Sequence, residues 1–183
     1  MAANNASSAT STSTDNTVTV TITAPQTTTL TVTLLSRDAK YKNEFGLFLV
    51  DDAAGRIGNV MPGDLGYARA ALSRTKAVFI SNDRAGAKRT VTLPAGGFYG
   101  MYLIQNATHS TFLARNPENR LGRGPLMFFS FAAANPDRIA HVRRTSTRYA
   151  FEDVTFGGDR DFNDLVVEIR AQAAAKILPL ARG

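Results

Sequence analysis

Five carboxylates and one carboxamide fall within the 13 residues from Glu152 to Asp164: Glu152, Asp153, Asp159, Asp161, Asn163 and Asp164. They sit in a chain that is otherwise basic, with 21 Lys and Arg against 15 Asp and Glu and a formal charge of +6. Like charges this close repel one another, and a cation that neutralises them is the simplest reason to keep them together. Asp159, Asp161 and Asn163 take the first, third and fifth places of a calcium-loop pattern, and hard oxygen donors in this number suit Ca2+. An EF-hand is excluded, because its sixth and twelfth places are Asp164 and Arg170 where Gly and Glu are needed. In an extended chain Asp159, Asp161 and Asn163 share one side, with Arg160, Phe162 and Asp164 on the other. Glu152 and Asp153, arriving from the preceding strand, complete the shell, and Gly157-Gly158 gives the backbone freedom for a tight loop. The competing reading is a solvated turn in which Asp and Asn act as turn formers and Arg160 pairs locally.

Other chemistry is scarce. The chain has no Cys, which removes thiolate ligands and cysteine nucleophiles, and its only imidazoles are His109 and His141, too few for a multi-His zinc centre. There is no G-x-S-x-G elbow, P-loop or H-E-x-x-H. Glu152 and Asp164 could be paired as the acid and base of a glycosidase. Carboxylates gathered around a cation are neutralised by it, however, and no enzymatic activity is expected. Seven Arg between Arg115 and Arg148 face only Glu118 and Asp137, a net +5 that reads as a solvated basic face or a polyanion contact. It lacks the aromatic interleaving of a nucleic-acid platform, so no specific nucleic acid is expected as a partner. Five Tyr could stack on a sugar, although the chain has no Trp.

The elements that must carry the acidic cluster read as strands. With 183 residues, 44% of them apolar, the chain has the size and composition of one domain with its own core. The longest apolar stretch, Pro125 to Ala134, falls well short of the roughly 20 residues that span a bilayer, and no secretory signal is visible. Residues 1–16 are almost all Ala, Ser, Thr and Asn and read as a flexible arm. Thr17 to Thr23 and Thr29 to Leu34 alternate Thr with Val, Ile or Leu, predicting two half-buried antiparallel strands that flank a turn at Ala24-Pro25-Gln26. Uncharged Thr-rich strands of this kind (residues 17–36) are either the first strands of the domain or an edge donated to another chain. Short apolar runs follow at Phe45 to Val50, Lys76 to Ser81, Arg89 to Leu93, Phe98 to Gln105, Leu126 to Ala132, Arg148 to Val154 and Leu165 to Arg170, punctuated by Gly and Pro. The pattern predicts an all-β, antiparallel, jelly-roll-like β-sandwich of about nine to eleven strands over residues 17–172, with a tail at 173–183. One or two short helices are expected, at Leu65 to Leu72 and Ala171 to Ile177.

The stretch F-E-D-V-T-F-G-G-D-R-D-F-N-D-L-V-V, Phe151 to Val167, resembles the signature of a bacterial family named domain of unknown function 4114, found in secreted and cell-surface proteins that include repeat-rich adhesins. Asn43 to Asp52, Pro62 to Ala68 with Ala70-Ala71-Leu72, and Ala134 to Asp137 resemble it too, in the expected order, so the likeness runs from about residue 38 to 170. It implies a calcium-binding β-sandwich at the cell surface or outside the cell, without catalysis. It also implies that Glu44, and with less weight Asn135 or Asp137, approach the metal from neighbouring loops. In that setting the expected partner is a polysaccharide or other cell-surface ligand. The alternative is a structural subunit that assembles with copies of itself, in a calcium-dependent way, through its Thr-rich N-terminal strand.

Overall fold

The computed structural model of the protein describes residues 9–14, 17–24, 26–38, 40–80 and 82–172. The tail from 173, and with it all but Ala171 and Gln172 of the expected C-terminal helix, lies outside them. Among the described residues, eleven strands form two antiparallel sheets. The first contains β1 (Ala9–Thr14), β2 (Thr17–Ala24), β7 (Gly97–Ile104), β4 (Glu44–Val50) and β5 (Thr75–Phe79) in that order, with β8 (Met127–Phe129) also on β7. The second runs β6 (Lys88–Leu93), β3 (Thr28–Ser36), β11 (Leu165–Ala171), β10 (Arg148–Phe151), β9 (Val142–Thr145). Within the segment read as a flexible arm, Ala9–Thr14 is therefore a strand, paired residue by residue with β2 from Ala9 opposite Ile22 to Thr14 opposite Thr17.

The two Thr-rich strands go to different sheets. β2 joins β7 through Ile22, Thr23 and Ala24, whereas β3 is flanked by β6 and β11 in the second sheet. On β3, Leu30, Val32 and Leu34 are at most 1% exposed while the Thr residues between them are half-buried, as period-two alternation requires. β4 and β7 differ: Phe45-Gly46-Leu47-Phe48-Leu49-Val50 is an unbroken apolar run, and both of its faces are covered. Phe45 and Leu47 point into the core between the sheets with Met101, Leu103, Phe151 and Val167. Phe48 and Val50 point the other way, into a second cluster with Tyr67, Tyr102, Phe112 and Phe131. That outer cluster is roofed by α1 (Tyr67–Ser73) and α2 (His109–Arg115). α1 matches the helix expected at Leu65 to Leu72; α2 and β9 have no counterpart in the sequence reading.

Gly46 shows how closely the outer layer is fitted. It pairs with Tyr102 across the strands, and a methyl group on it would fall on the Tyr102 ring. The ring cannot swing aside, because its hydroxyl donates to Glu44 Oε1 at 2.8 Å and the ring is fully buried. Gly46→Ala is therefore expected to lower stability by about 1–3 kcal/mol, the usual cost of overpacking, in a urea unfolding titration. An unchanged midpoint would mean that this face has slack.

Candidate metal centre

β10 and β11 form a hairpin whose last pair is Phe151 opposite Leu165, so the whole acidic run from Glu152 to Asp164 is the connection between them. Phe151 is anchored in the core edge-on against Phe45, 5.5 Å between ring centroids, which places Glu152 and Asp153 at the rim of the sandwich yet only 2% and 1% exposed. The Glu152 backbone is held by His141: its N–H donates to the His141 carbonyl at 3.0 Å, and its carbonyl lies 3.0 Å from His141 Nδ1. His141 is fully buried, stacked on Phe128, and its Nε2 lies 2.9 Å from Asp137 Oδ2.

Asp153 is fixed on three sides. Its Oδ2 accepts from Asn43 Nδ2 at 2.6 Å, its carbonyl accepts from Gln105 Nε2 at 2.7 Å, and its N–H donates to Asp164 Oδ2 at 2.8 Å. The half-buried Asp164 carboxylate thus adjoins two buried acids, Asp153 and Glu152. Burial, then the charge of Asp164, pushes the Glu152 carboxyl up to about 7. Burial likewise pushes Asp153 up to about 6, against the lowering hydrogen bond from Asn43 and with a further rise from Asp164.

The loop itself is not extended. Phe156, Gly157, Gly158, Arg160 and Phe162 all have positive φ, so the chain coils and the simple two-sided division of an extended strand does not apply. Short local bonds hold the coil: Asp161 N–H to Asp159 Oδ1 at 3.4 Å, Asn163 N–H to Asp161 Oδ1 at 3.1 Å, and the Asn163 amide to Asp161 Oδ2. Phe156 N–H donates to Asp137 Oδ2 at 2.7 Å, and Phe162 is tucked in at 8% exposure beneath the Arg143 guanidinium, 3.9 Å from its ring centroid. The coil brings carboxylate oxygens of Glu152, Asp159 and Asp161 within 4.8 Å of one another, the first buried and the other two exposed. A Cβ on Gly158 would meet Glu152 Oε1 at 2.5 Å, so the loop closes down on that carboxylate as only Gly allows.

Of the residues singled out from the sequence, Glu152, Asp159 and Asp161 form the cluster, Asp153 and Asp164 adjoin Glu152, and Asn163 is tied to Asp161. Glu44 points elsewhere: its carboxylate takes Tyr102 Oη, the His109 N–H at 3.1 Å and His109 Nδ1 at 3.2 Å. Asn135 is a clamp, accepting from Phe129 N–H at 2.6 Å and donating to the Ile139 carbonyl at 2.7 Å. Asp137 reaches the loop through the Phe156 N–H. Asn43, Gln105 and His141, which fix the two buried acids, are not marked as site residues by the sequence; Asn43, for one, lies 110 residues from the carboxylate it binds. An all-oxygen donor set with one buried carboxylate and a loop moulded onto it fits a hard cation.

The model of the family described as Domain of unknown function (DUF4114) matches residues 93–172, from the end of β6 through β11, and so includes the whole acidic loop. No curated protein and no solved structure matches the chain.

Proposed function

The chain belongs to that family through residues 93–172, and from this premise we propose that it is a calcium-binding, non-catalytic recognition module that works outside the cell or at its surface. The observation that carries the reading is the convergence of Glu152, Asp159 and Asp161 oxygens within 4.8 Å, backed by the buried Asp153 and the half-buried Asp164. Ca2+ fits such a set better than Mg2+, because it accepts many oxygens in irregular geometry, whereas Mg2+ demands a near-ideal octahedron and keeps its waters. The bound ion would neutralise the acids and hold the coil between β10 and β11 in one shape, while Asp137 and Asn43 orient the loop and Asp153. No helix among the described residues is long and apolar enough to cross a membrane. The ligand expected of the module is a polysaccharide or another cell-surface molecule.

Isothermal titration of chelator-stripped protein with CaCl2, and with MgCl2 for comparison, tests the metal directly. One or more calcium sites are expected, with weaker magnesium binding, and Asp159→Asn with Asp161→Asn should weaken calcium at least tenfold, about 1.4 kcal/mol. Absence of calcium heat and of any competition with a chelating dye would overturn the reading.

A second reading has its own support. β1 is the outermost strand of the first sheet and its sequence, Ala9 to Thr14, is uncharged Ser, Thr and Ala, an edge open to pairing with another copy. The deletion that tests it should stop at residue 16, because β3 lies inside the second sheet. If calcium-dependent light scattering by the full chain disappears in the 17–183 protein, the self-assembling subunit is favoured.

A further inference from the structure

The two sheets differ in what covers their outer faces. The first is roofed by α1 and α2, and the apolar cluster beneath them takes no side chain from the second sheet. The second sheet buries one face only: Leu30, Val32, Leu34, Val91, Val167 and Ile169 turn inward, and the residues between them stay half-buried or exposed.

The register fixes what this open face displays. Thr29 stands opposite Thr92, Thr31 opposite Thr90, and Thr33 opposite Lys88. On the other side of β3, Thr31 meets Arg170 and Thr33 meets Glu168, and Glu168 in turn meets Arg148. A row of Lys88, Thr33, Glu168 and Arg148 therefore crosses four adjacent strands, its ends about 14 Å apart at roughly 4.8 Å per strand. Glu168 Oε1 accepts from Arg170 at 2.8 Å and from the Thr147 hydroxyl at 3.3 Å, so its charge is answered within the face. Lys88 and Arg148 are exposed, and neither forms a salt bridge among the described residues.

An ammonium and a guanidinium on either side of a hydroxyl-bearing strip attract anionic groups that are spaced apart and carry hydroxyls between them. Other polyanions fit less well. Duplex DNA carries a charge every roughly 1.7 Å and rewards a denser basic patch than one with Glu168 at its centre. An unpaired base needs an aromatic ring to stack on, and the outward residues of β3, β6, β10 and β11 include none. An anionic membrane surface needs apolar side chains to insert, whereas the exposed large apolar residues, Leu65 and Phe156 foremost, all lie off this face.

We propose that the outer face of the second sheet binds an acidic polysaccharide, with Lys88 and Arg148 taking its anionic groups and the Thr hydroxyls of β3 and β6 meeting the sugar hydroxyls between them. The assignment rests on the recognition reading above, whose ligand class it names, but the face shares no residue with the acidic loop. Calcium titration and polysaccharide binding can therefore fail separately.

Fluorescence anisotropy of labelled hyaluronan and chondroitin sulfate oligosaccharides, titrated with the full chain in CaCl2, tests it. Unlabelled dextran, poly-glutamate, duplex DNA and phosphatidylserine vesicles serve as competitors. At least one of the two acidic sugars should bind, more weakly as NaCl is added, and Lys88→Gln combined with Arg148→Gln should weaken it about tenfold or more. Both side chains are exposed, so circular dichroism, thermal midpoint and calcium affinity should stay as in the parent. Arg120→Gln combined with Arg123→Gln removes the same charge from the exposed loop after α2, on the other side of the sandwich, and should leave the affinity unchanged. Binding of neither acidic sugar, equal losses in the two double variants, or better competition by poly-glutamate, DNA or vesicles than by the unlabelled sugar would each overturn the proposal. Dextran competing as well as the acidic sugar would also overturn it, while leaving a recognition module of another specificity.

Discussion

Calcium at about 100 times its dissociation constant should raise the thermal midpoint of chelator-stripped protein by about 5–11 °C at neutral pH. The figure follows from roughly 2.7 kcal/mol of linkage stabilisation and roughly 2–4 °C per kcal/mol for a domain of this size. The rise should depend on pH in a defined direction. Glu152 and Asp153, at about 7 and about 6 without metal, hold their protons more tightly in the folded chain than in the unfolded one. Their contribution to the metal-free fold is therefore most favourable below the ordinary carboxyl range and is lost as pH rises through about 6 to 7. Calcium needs the deprotonated acids, so its increment grows across that same window and shrinks near pH 5. Glu152→Gln should reverse both signs at once, raising the midpoint of the metal-free protein at about pH 8 by removing one of the crowded charges and cutting the calcium increment. Scanning calorimetry of the two proteins at both pH values, with and without calcium, reads all of this. A parent whose calcium increment is as large near pH 5 as near pH 8 would refute the account.

The second large effect lies beneath the site. Phe45 is fully buried between the sheets, 5.5 Å from the Phe151 ring centroid and 6.3 Å from that of Phe79. Phe45→Ala removes contacts with both sheets and leaves a cavity, for an expected loss of about 3–5 kcal/mol or roughly 6–20 °C in thermal midpoint. Phe151 immediately precedes Glu152, so the variant should also bind calcium less well while it remains folded. Val154→Ala, at a position 38% exposed on the same loop, serves as the control, with a stability change within about 0.5 kcal/mol. Equal losses in the two variants would mean that the interface between the sheets is not what holds the loop.

The sandwich could be read from the sequence wherever burial leaves a pattern. β3 shows itself by alternation, and β4 and β7 by unbroken apolar runs that reflect cover on both faces. β9 escapes because only Val142 of its four residues is buried, so Arg143, Arg144 and Thr145 look like a loop. α2 escapes because only Phe112 of its seven residues is buried, so it leaves no apolar face, whereas α1, of the same length, buries Tyr67, Ala68, Ala71 and Leu72. The partition of the two Thr-rich strands between sheets depends on the turn between them, which periodicity does not encode. At the site, the contiguous acids were legible by type and spacing. Their shape is not, since type and spacing suggest an extended chain where five residues of positive φ coil the backbone. Glu44 follows Asn43, which holds Asp153, but opens strand β4 and turns its own carboxylate to Tyr102 and His109.

The place of β3 has a consequence for how the molecule is made. Its neighbour β11 meets it from Leu30 opposite Ala171 to Ser36 opposite Val166, so the middle of the second sheet joins segments about 130 residues apart in sequence. During synthesis the strands β3 to β10 exist without the partner that closes this sheet, and cooperative folding waits until β11 has left the ribosome. High contact order of this kind makes folding slow. The hairpin that brings β11 is the one that carries the acidic loop, so the same segment that gathers the acids also closes the sheet.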